Sequence, residues 1–146
     1  MITRETDYAF RILRALSNGK KSTAAEICRQ ELLPKQFVYK ILKKLARASL
    51  IQISRGAEGG CKLNVDLKTV SFYDMTCVMG ENRDLSACMH PGYQCAWKQK
   101  KEAVCHVHCQ LSKIQASIDK ELRSYSLHQM IFGNDDTPTT SPSGNT

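Results

Sequence analysis

The sequence predicts a mainly α-helical fold with a small β-hairpin and a long helix near the C-terminus. Apolar residues recur at steps of three and four up to Leu45, alternate around a glycine-rich turn at residues 55–60, and return to helical spacing after Cys105. The composition, 42% hydrophobic and 24% charged over 146 residues, is that of a folded protein. No apolar run reaches membrane-spanning length and the N-terminus has no leader-like apolar segment, so we expect a cytoplasmic protein without membrane partners.

The first two helices are predicted from an apolar face and from helix-start signals. Helical spacing places the first helix at about Thr3–Leu16, and the turn-forming residues Ser17–Gly19 end it. Thr23 and Glu26 have the spacing of a capping box. A short second helix therefore follows, to about Gln30.

The third helix combines an apolar stripe with a basic face. Pro34 suits its first turn, where the missing amide hydrogen costs nothing. The apolar stripe consists of Phe37, Val38, Ile41, Leu42 and Leu45. The other face carries Lys35, Gln36, Tyr39, Lys40, Lys43, Lys44 and Arg47. Two short helices, the second of them basic, indicate a helix-turn-helix.

Alternating apolar residues after the third helix predict a hairpin, from Ile51 and Ile53 to Cys61, Leu63 and Val65. Its glycine-rich tip, residues 55–60, lies where a wing follows a recognition helix. Residues 1–67 are therefore predicted to form a winged helix-turn-helix domain.

Positive charge is concentrated in this N-terminal part. Through Lys62 there are 13 Lys and Arg against 5 Asp and Glu, whereas the whole chain carries +7. A polyanion is the natural partner of such a surface, and nucleic acid is the commonest one. A basic surface that serves only solubility is the alternative. The helix face described above can hydrogen-bond bases, and its lysines and Arg47 suit phosphates.

The remainder of the chain divides into three parts. Residues 68–104 contain a short helix, at about Ser71–Met79, and an irregular cysteine-bearing loop. Residues 105–132 form a long helix and a short C-terminal helix, and the tail 133–146 is polar and predicted to be disordered. The long helix has an apolar seam of Val107, Leu111, Ile114, Ile118, Leu122 and Tyr125. Such a seam favours a homodimer, although packing within one subunit is the alternative.

Four of the seven cysteines, Cys88, Cys95, Cys105 and Cys109, lie in the loop and at the start of the long helix. Thiols in a cytosolic protein are more often metal ligands or redox sensors than disulfides. The gaps of six and nine residues suit an iron–sulfur cluster better than the tight pairs of structural zinc sites. Zinc stays an alternative, because Cys105 and Cys109 are one helical turn apart and histidines lie nearby, namely His90, His106 and His108.

The other cysteines, Cys28, Cys61 and Cys77, fall in apolar patterns and are expected to be buried structural residues. His128 is expected to be a surface or packing residue. The chain has no nucleophile-elbow or phosphate-loop motif. Cys105 and His108 could form a nucleophile–base pair, but no substrate pocket accompanies them, so we expect no enzyme, and a cysteine-based redox enzyme is the rival from another class.

The motifs as a set resemble the Rrf family of winged-helix transcription regulators, of the IscR and NsrR type. The resemblance covers about residues 1–132. It is carried by Thr6-Asp7-Tyr8-Ala9, the run Leu33–Leu45, Ser54-Arg55-Gly56 with Gly59-Gly60, and the cysteine loop before a long helix.

This resemblance implies a homodimeric DNA-binding regulator, and a repressor in particular, that recognises a near-palindromic double-stranded operator. Gln36, Tyr39 and Lys40 would then face base edges, and Arg55 would enter the minor groove. It also implies a [2Fe-2S] or [4Fe-4S] cluster that senses redox state, nitric oxide or iron.

By the same resemblance, Cys88, Cys95 and Cys105 hold the cluster, with Asp7 of the partner subunit or Cys109 as the fourth ligand. The cysteines are more widely spaced here than is usual in the family. Members without a cluster respond through a thiol or a partner protein, so these mechanisms and zinc are the alternatives.

Overall fold

A computed structural model of the chain describes residues 2–134. The elements are α1 (Arg4–Leu16), α2 (Ala24–Glu31), α3 (Lys35–Arg47), β1 (Ile51–Ser54), β2 (Gly60–Leu63), α4 (Phe72–Met79), α5 (Ala96–Lys101), α6 (His106–Ser124) and α7 (Leu127–Phe132), with a 3₁₀ turn at Ala87–Met89. The tail predicted to be disordered lies outside the described residues from residue 135 onward.

The first three helices enclose one apolar core, as their sequence pattern predicts. Ile12, Leu16, Ile27, Ile41 and Leu45 are fully buried in it. The predicted hairpin closes one side of this core: β1 and β2 are antiparallel, and Ile53 pairs with Cys61. These elements form the winged helix-turn-helix that the sequence predicts.

A backbone bridge between Ser22 and Cys61 fixes the hairpin to the segment before α2. The close approach of these two backbone segments requires a glycine at position 60, next to Cys61. At Gly60 the φ angle is 157°, and an added Cβ would lie 2.9 Å from the Ser22 carbonyl oxygen. The wing is therefore held against the helix-turn-helix by main-chain contacts.

The long helix α6 is joined to the winged-helix domain through α4 and α7. Tyr73 of α4 lies between two guanidinium groups, 3.9 Å from Arg83 and 3.3 Å from Arg123, measured to the ring centroid. After α6 the chain turns back, and the main-chain N–H of Leu127 donates to the Val70 carbonyl at 2.8 Å. Leu127 is fully buried, so the end of α6 is anchored in the core.

The structure differs from three local expectations. Pro34 is the N-cap of α3, one position before its first turn. Cys77, expected to be buried, is exposed, because α4 turns Met75 and Met79 into the core and leaves Cys77 on its solvent side. The loop 81–104, predicted to be irregular, contains α5, whose six residues are too few to show a helical period.

The two other cysteines outside the cysteine loop behave as expected of packing residues. Cys61 is buried and Cys28 is half-buried. Burial raises the pKa of the Cys61 thiol, which keeps it protonated. Within residues 2–134, none of the helices has the length and apolar character that crossing a membrane would require.

Candidate DNA interface and cysteine cavity

The free face of α3 carries the polar side chains that the sequence assigns to DNA. Lys35, Gln36, Tyr39, Lys40, Lys43 and Arg47 are all exposed on it. The ammonium group of Lys35 lies 5.9 Å from the centroid of the Tyr39 ring, which keeps the two side chains together on the surface. This face can reach a DNA groove without any rearrangement of the core.

Lys44 is more buried than the other basic residues of α3, with a side chain that is 29% exposed. Its Nζ donates to Glu5 of α1 and to the Met79 carbonyl at the end of α4, each at 3.0 Å. Glu5 also accepts a hydrogen bond from Lys40. The hydrogen bonds from Lys40 and Lys44 hold the pKa of the Glu5 carboxyl below its usual value, so the carboxylate stays charged. Lys44 thus ties α3 to α1 and α4, and the phosphate contact expected for it stays a prediction.

Arg55 lies exposed at the tip of the wing, as a minor-groove contact requires. The turn that presents it depends on glycine. An added Cβ at Gly59 would lie 2.6 Å from the Ser54 carbonyl oxygen, and Gly56 has a φ of 105°. The wing sequence therefore shapes a tight turn that holds one cation away from the domain.

Cys88, Cys95 and Cys105 line a single cavity of about 560 Å³ between the loop, α5 and the start of α6. Tyr93 and Leu111 also line this cavity, so its walls are partly apolar. All three thiols are free and half-buried. We call this space the cysteine cavity.

Cys109 lies beside the cysteine cavity. It lines an adjoining space of about 310 Å³, which it shares with Cys105 and His108. Within residues 2–134, no three His, Cys, Asp or Glu side chains are placed to hold one metal ion. A mononuclear zinc site, whose ligands converge on one point, is therefore not preformed here.

The donor set fits an iron–sulfur cluster. The ligands of such a cluster are distributed over two or four irons, so the sulfurs need not all converge on a single point. Three soft donors around a partly apolar cavity provide the ligand type that these clusters use.

Asp7, the possible ligand from the partner subunit, does not line the cysteine cavity of its own chain. It forms an ion pair with Arg11 at 3.0 Å and lines a surface groove with Phe10, Phe72 and Ile131. Within one subunit the structure therefore does not bring Asp7 to the cysteine cavity.

The segment between α4 and the cysteine cavity carries contacts that sequence reasoning missed. Glu81 accepts hydrogen bonds from the backbone N–H of Thr3 and from the hydroxyls of Thr3 and Thr6 at the start of α1. Burial raises the Glu81 pKa, but these hydrogen bonds outweigh it and the net pKa is lowered. No local sequence pattern predicts these contacts, since the partners are more than 70 residues apart in sequence.

The same segment is also fixed to α6. Arg83 pairs with Asp119 at 3.5 Å, and the backbone N–H of Leu85 donates to the Gln115 side chain at 3.0 Å. Cys88 follows directly and donates from its thiol to the Ser86 hydroxyl at 3.3 Å. The start of the cysteine loop is thus connected to both α1 and α6.

A family model described as "Rrf2: Iron-dependent Transcriptional regulator" matches residues 2–133. The chain belongs to the Rrf2 family. The resemblance inferred from the sequence motifs is therefore confirmed. Rrf2 regulators bind DNA and are commonly dimeric, and the family and fold are those of transcription regulators, which are typically not enzymes.

Solved Rrf2 structures share this fold. CymR (YrzC), the global cysteine regulator of B. subtilis, superimposes with a TM-score of 0.65 at 17% identity, covering 92% of this chain and 98% of that one. T. potens IscR gives a TM-score of 0.62 at 18% identity, covering 90% and 85%. Among curated proteins, Protein aau3 of Rhizobium meliloti (strain 1021) is 32% identical over 93 residues. That match spans 62% of this chain and 60% of the length of that relative.

Proposed function

We propose that the chain is a homodimeric repressor whose affinity for a double-stranded DNA operator is set by an iron–sulfur cluster held by Cys88, Cys95 and Cys105. The observation that carries the proposal is that these three thiols line one cavity, although they are spread over 18 residues of sequence. Membership of an iron-dependent regulator family supports it. When bound, the cluster supplies a centre that reacts with oxidants or nitric oxide.

Cluster state would reach the DNA-binding domain through the segment that precedes Cys88. A displacement of Cys88 pulls on residues 81–86, which are attached to α6 through Arg83 and to α1 through Glu81. Helix α1 in turn holds the recognition helix α3 through Glu5. Loss or reaction of the cluster therefore changes how α3 is presented to DNA.

The exposed seam of α6 supports the homodimer. Leu111 and Leu122 are half-buried within the subunit, whereas Val107 and Ile114 are 68% and 50% exposed. Ile118 and Tyr125 continue the exposed stripe. Large apolar side chains aligned on one helix face are typical of a surface that a partner helix covers.

The fourth ligand is either Asp7 of the partner subunit or Cys109. Cys109 adjoins the cavity through Cys105, whereas Asp7 would have to come across the dimer interface.

A second candidate keeps operator binding and replaces the cluster with a thiol switch. It is favoured by one observation, that Cys105 and Cys109 border the same small space as free thiols. The likeness to the S. aureus CymR structure described as the oxidized form agrees with it at the level of fold.

Anaerobic purification of five variants tests the proposal. Each of Cys88, Cys95, Cys105 and Cys109 is replaced by Ser in turn, and Cys77→Ser is the matched control, since Cys77 is exposed on α4 outside the cavity. We expect visible absorbance and stoichiometric iron in the native protein and in Cys77→Ser, and their loss in the first three variants. Colour retained in those three, or a colourless native protein, would refute the cluster assignment. Retained colour in Cys109→Ser would favour Asp7 as the fourth ligand.

A further inference from the structure

Leu32, in the turn between α2 and α3, combines an unusual backbone conformation with an unusually exposed side chain. Its φ of 54° lies in the left-handed region, which strains an L-residue with a bulky side chain. Its amide donates to the Cys28 carbonyl and so caps α2. Glycine or asparagine is the usual residue at such a cap.

The Leu32 side chain is not packed in the core. It is 85% exposed, more than any other large apolar side chain that the structure describes. The neighbouring Leu33 is buried at 6% exposure and supplies the apolar anchor of the turn. Leu32 is thus unfavourable in both backbone conformation and solvation, and the isolated subunit gains no packing from it.

The surroundings of Leu32 are positively charged. Arg29 is exposed before the turn and Lys35 is exposed after it. Between Arg29 and Arg47 the sequence has a single acidic residue, Glu31, and that carboxylate is bound by Arg14. An exposed apolar group between two exposed cations in the sequence suits the major groove of duplex DNA, where thymine methyl groups lie between rows of phosphates.

The position in the fold agrees with such a partner. In a helix-turn-helix the first residues of the second helix reach the base edges, and Leu32 lies three and four residues before Lys35 and Gln36. The α6 seam, which is the surface suited to a second copy of the chain, belongs to a different part of the molecule.

We propose that Leu32 is a specificity-determining residue that contacts a thymine C5-methyl group in the operator. The proposal rests on the DNA-binding part of the proposed function and is independent of the cluster. Because the contact forms only on DNA, it accounts for a leucine that the isolated subunit does not need.

A pairing of protein and DNA changes tests the contact. An operator is first obtained by selection from random duplexes with the native protein. Each thymine of one half-site is then replaced by deoxyuridine, which lacks only the methyl group. Binding is measured by fluorescence anisotropy at fixed salt with the native protein and with Leu32→Asn, a residue that tolerates the left-handed backbone.

We expect one deoxyuridine replacement to weaken native binding about fourfold, the effect of one methyl group. Leu32→Asn should bind the operator about tenfold more weakly, should be insensitive to that replacement, and should bind a scrambled duplex like the native protein. Its Tm should not fall. Leu32→Met should retain the sensitivity, because it keeps an apolar side chain.

Ser49→Gly is the matched control, because Ser49 has a similar φ of 60° but no large apolar group. It should leave operator affinity unchanged. If Leu32→Asn binds the operator as tightly as the native protein, or stays equally sensitive to deoxyuridine, the contact does not exist. A changed oligomeric state with unchanged DNA binding would assign Leu32 to a protein interface and also overturn it. If the native protein selects no operator at all, the proposed function itself fails.

Discussion

Truncation of the α6 seam at Ile114 should weaken the dimer by an amount that the structure allows us to estimate. Half of Ile114 is exposed in the subunit. Complete burial of an isoleucine contributes about 1.5–3 kcal/mol, so covering the exposed half contributes about 1 kcal/mol. A two-fold interface uses the residue twice, which gives about 2 kcal/mol, or a roughly 30-fold change in the dimer dissociation constant for Ile114→Ala.

Sedimentation equilibrium over a wide range of protein concentrations measures this constant directly. Lys120→Ala is the matched control, because Lys120 is exposed on the same helix away from the apolar stripe. It should leave the constant unchanged. The reasoning is refuted if Ile114→Ala associates as tightly as the native protein, or if the native protein is a monomer at micromolar concentration.

Three further predictions follow from the contacts of α1 and the wing. Glu5→Gln should destabilise the fold by about 1 kcal/mol at pH 7, because it weakens the hydrogen bonds to Lys40 and Lys44. The folded-state pKa of Glu5 is lowered from 4.5, so this stabilisation is complete above that pH and is lost as the pH falls through the folded-state value. The difference in urea midpoint from the native protein should be smaller at pH 3 than at pH 7, and a larger difference at pH 3 would contradict the reasoning. Arg14→Ala should lower the free energy of unfolding in urea by about 2 kcal/mol, because it leaves the 7% exposed Glu31 carboxylate without its partner. A change near zero would exclude a structural role for the Arg14–Glu31 ion pair. Arg55→Ala should weaken operator binding and reduce the slope of log affinity against log salt by about one, whereas an unchanged titration would remove Arg55 from the interface.

The winged-helix domain was predictable because its signals are long and agree with one another. The stripe from Val38 to Leu45 repeats over several turns, and the core places each of its positions as the pattern requires. The hairpin followed from the alternation of apolar residues, of which Ile51 and Cys61 are buried in the core while Ile53, opposite Cys61, is 48% exposed. Short elements gave no comparable signal, and α5 was missed for that reason.

The contacts of Lys44 could not be predicted from the sequence. On a helical wheel it belongs to the basic face of α3, and its hydrogen bonds depend on the tertiary positions of Glu5 and of the Met79 carbonyl. The prediction for Cys77 was wrong. An apolar neighbourhood in sequence suggested burial, but the packing angle of α4 left the thiol on the surface.

The sequence grouped Cys88, Cys95, Cys105 and Cys109, and the family resemblance selected the first three as cluster ligands, which stays a prediction. The fold places those three around one cavity, whose shape the sequence did not give. Cys109 borders a separate space, and this position depends on how α5 packs against the start of α6. The hydrogen bonds from α1 to Glu81 join residues that are distant in sequence, so no local sequence pattern could have predicted them.

We propose above all that occupancy of the cysteine cavity controls DNA binding. The most direct measurement is an anaerobic titration of one operator fragment, at fixed salt, with the iron-loaded protein and with the same preparation after removal of iron. We predict operator affinities that differ by about tenfold or more, with equal affinities for a scrambled duplex. Equal operator affinities of the two forms would contradict the claim.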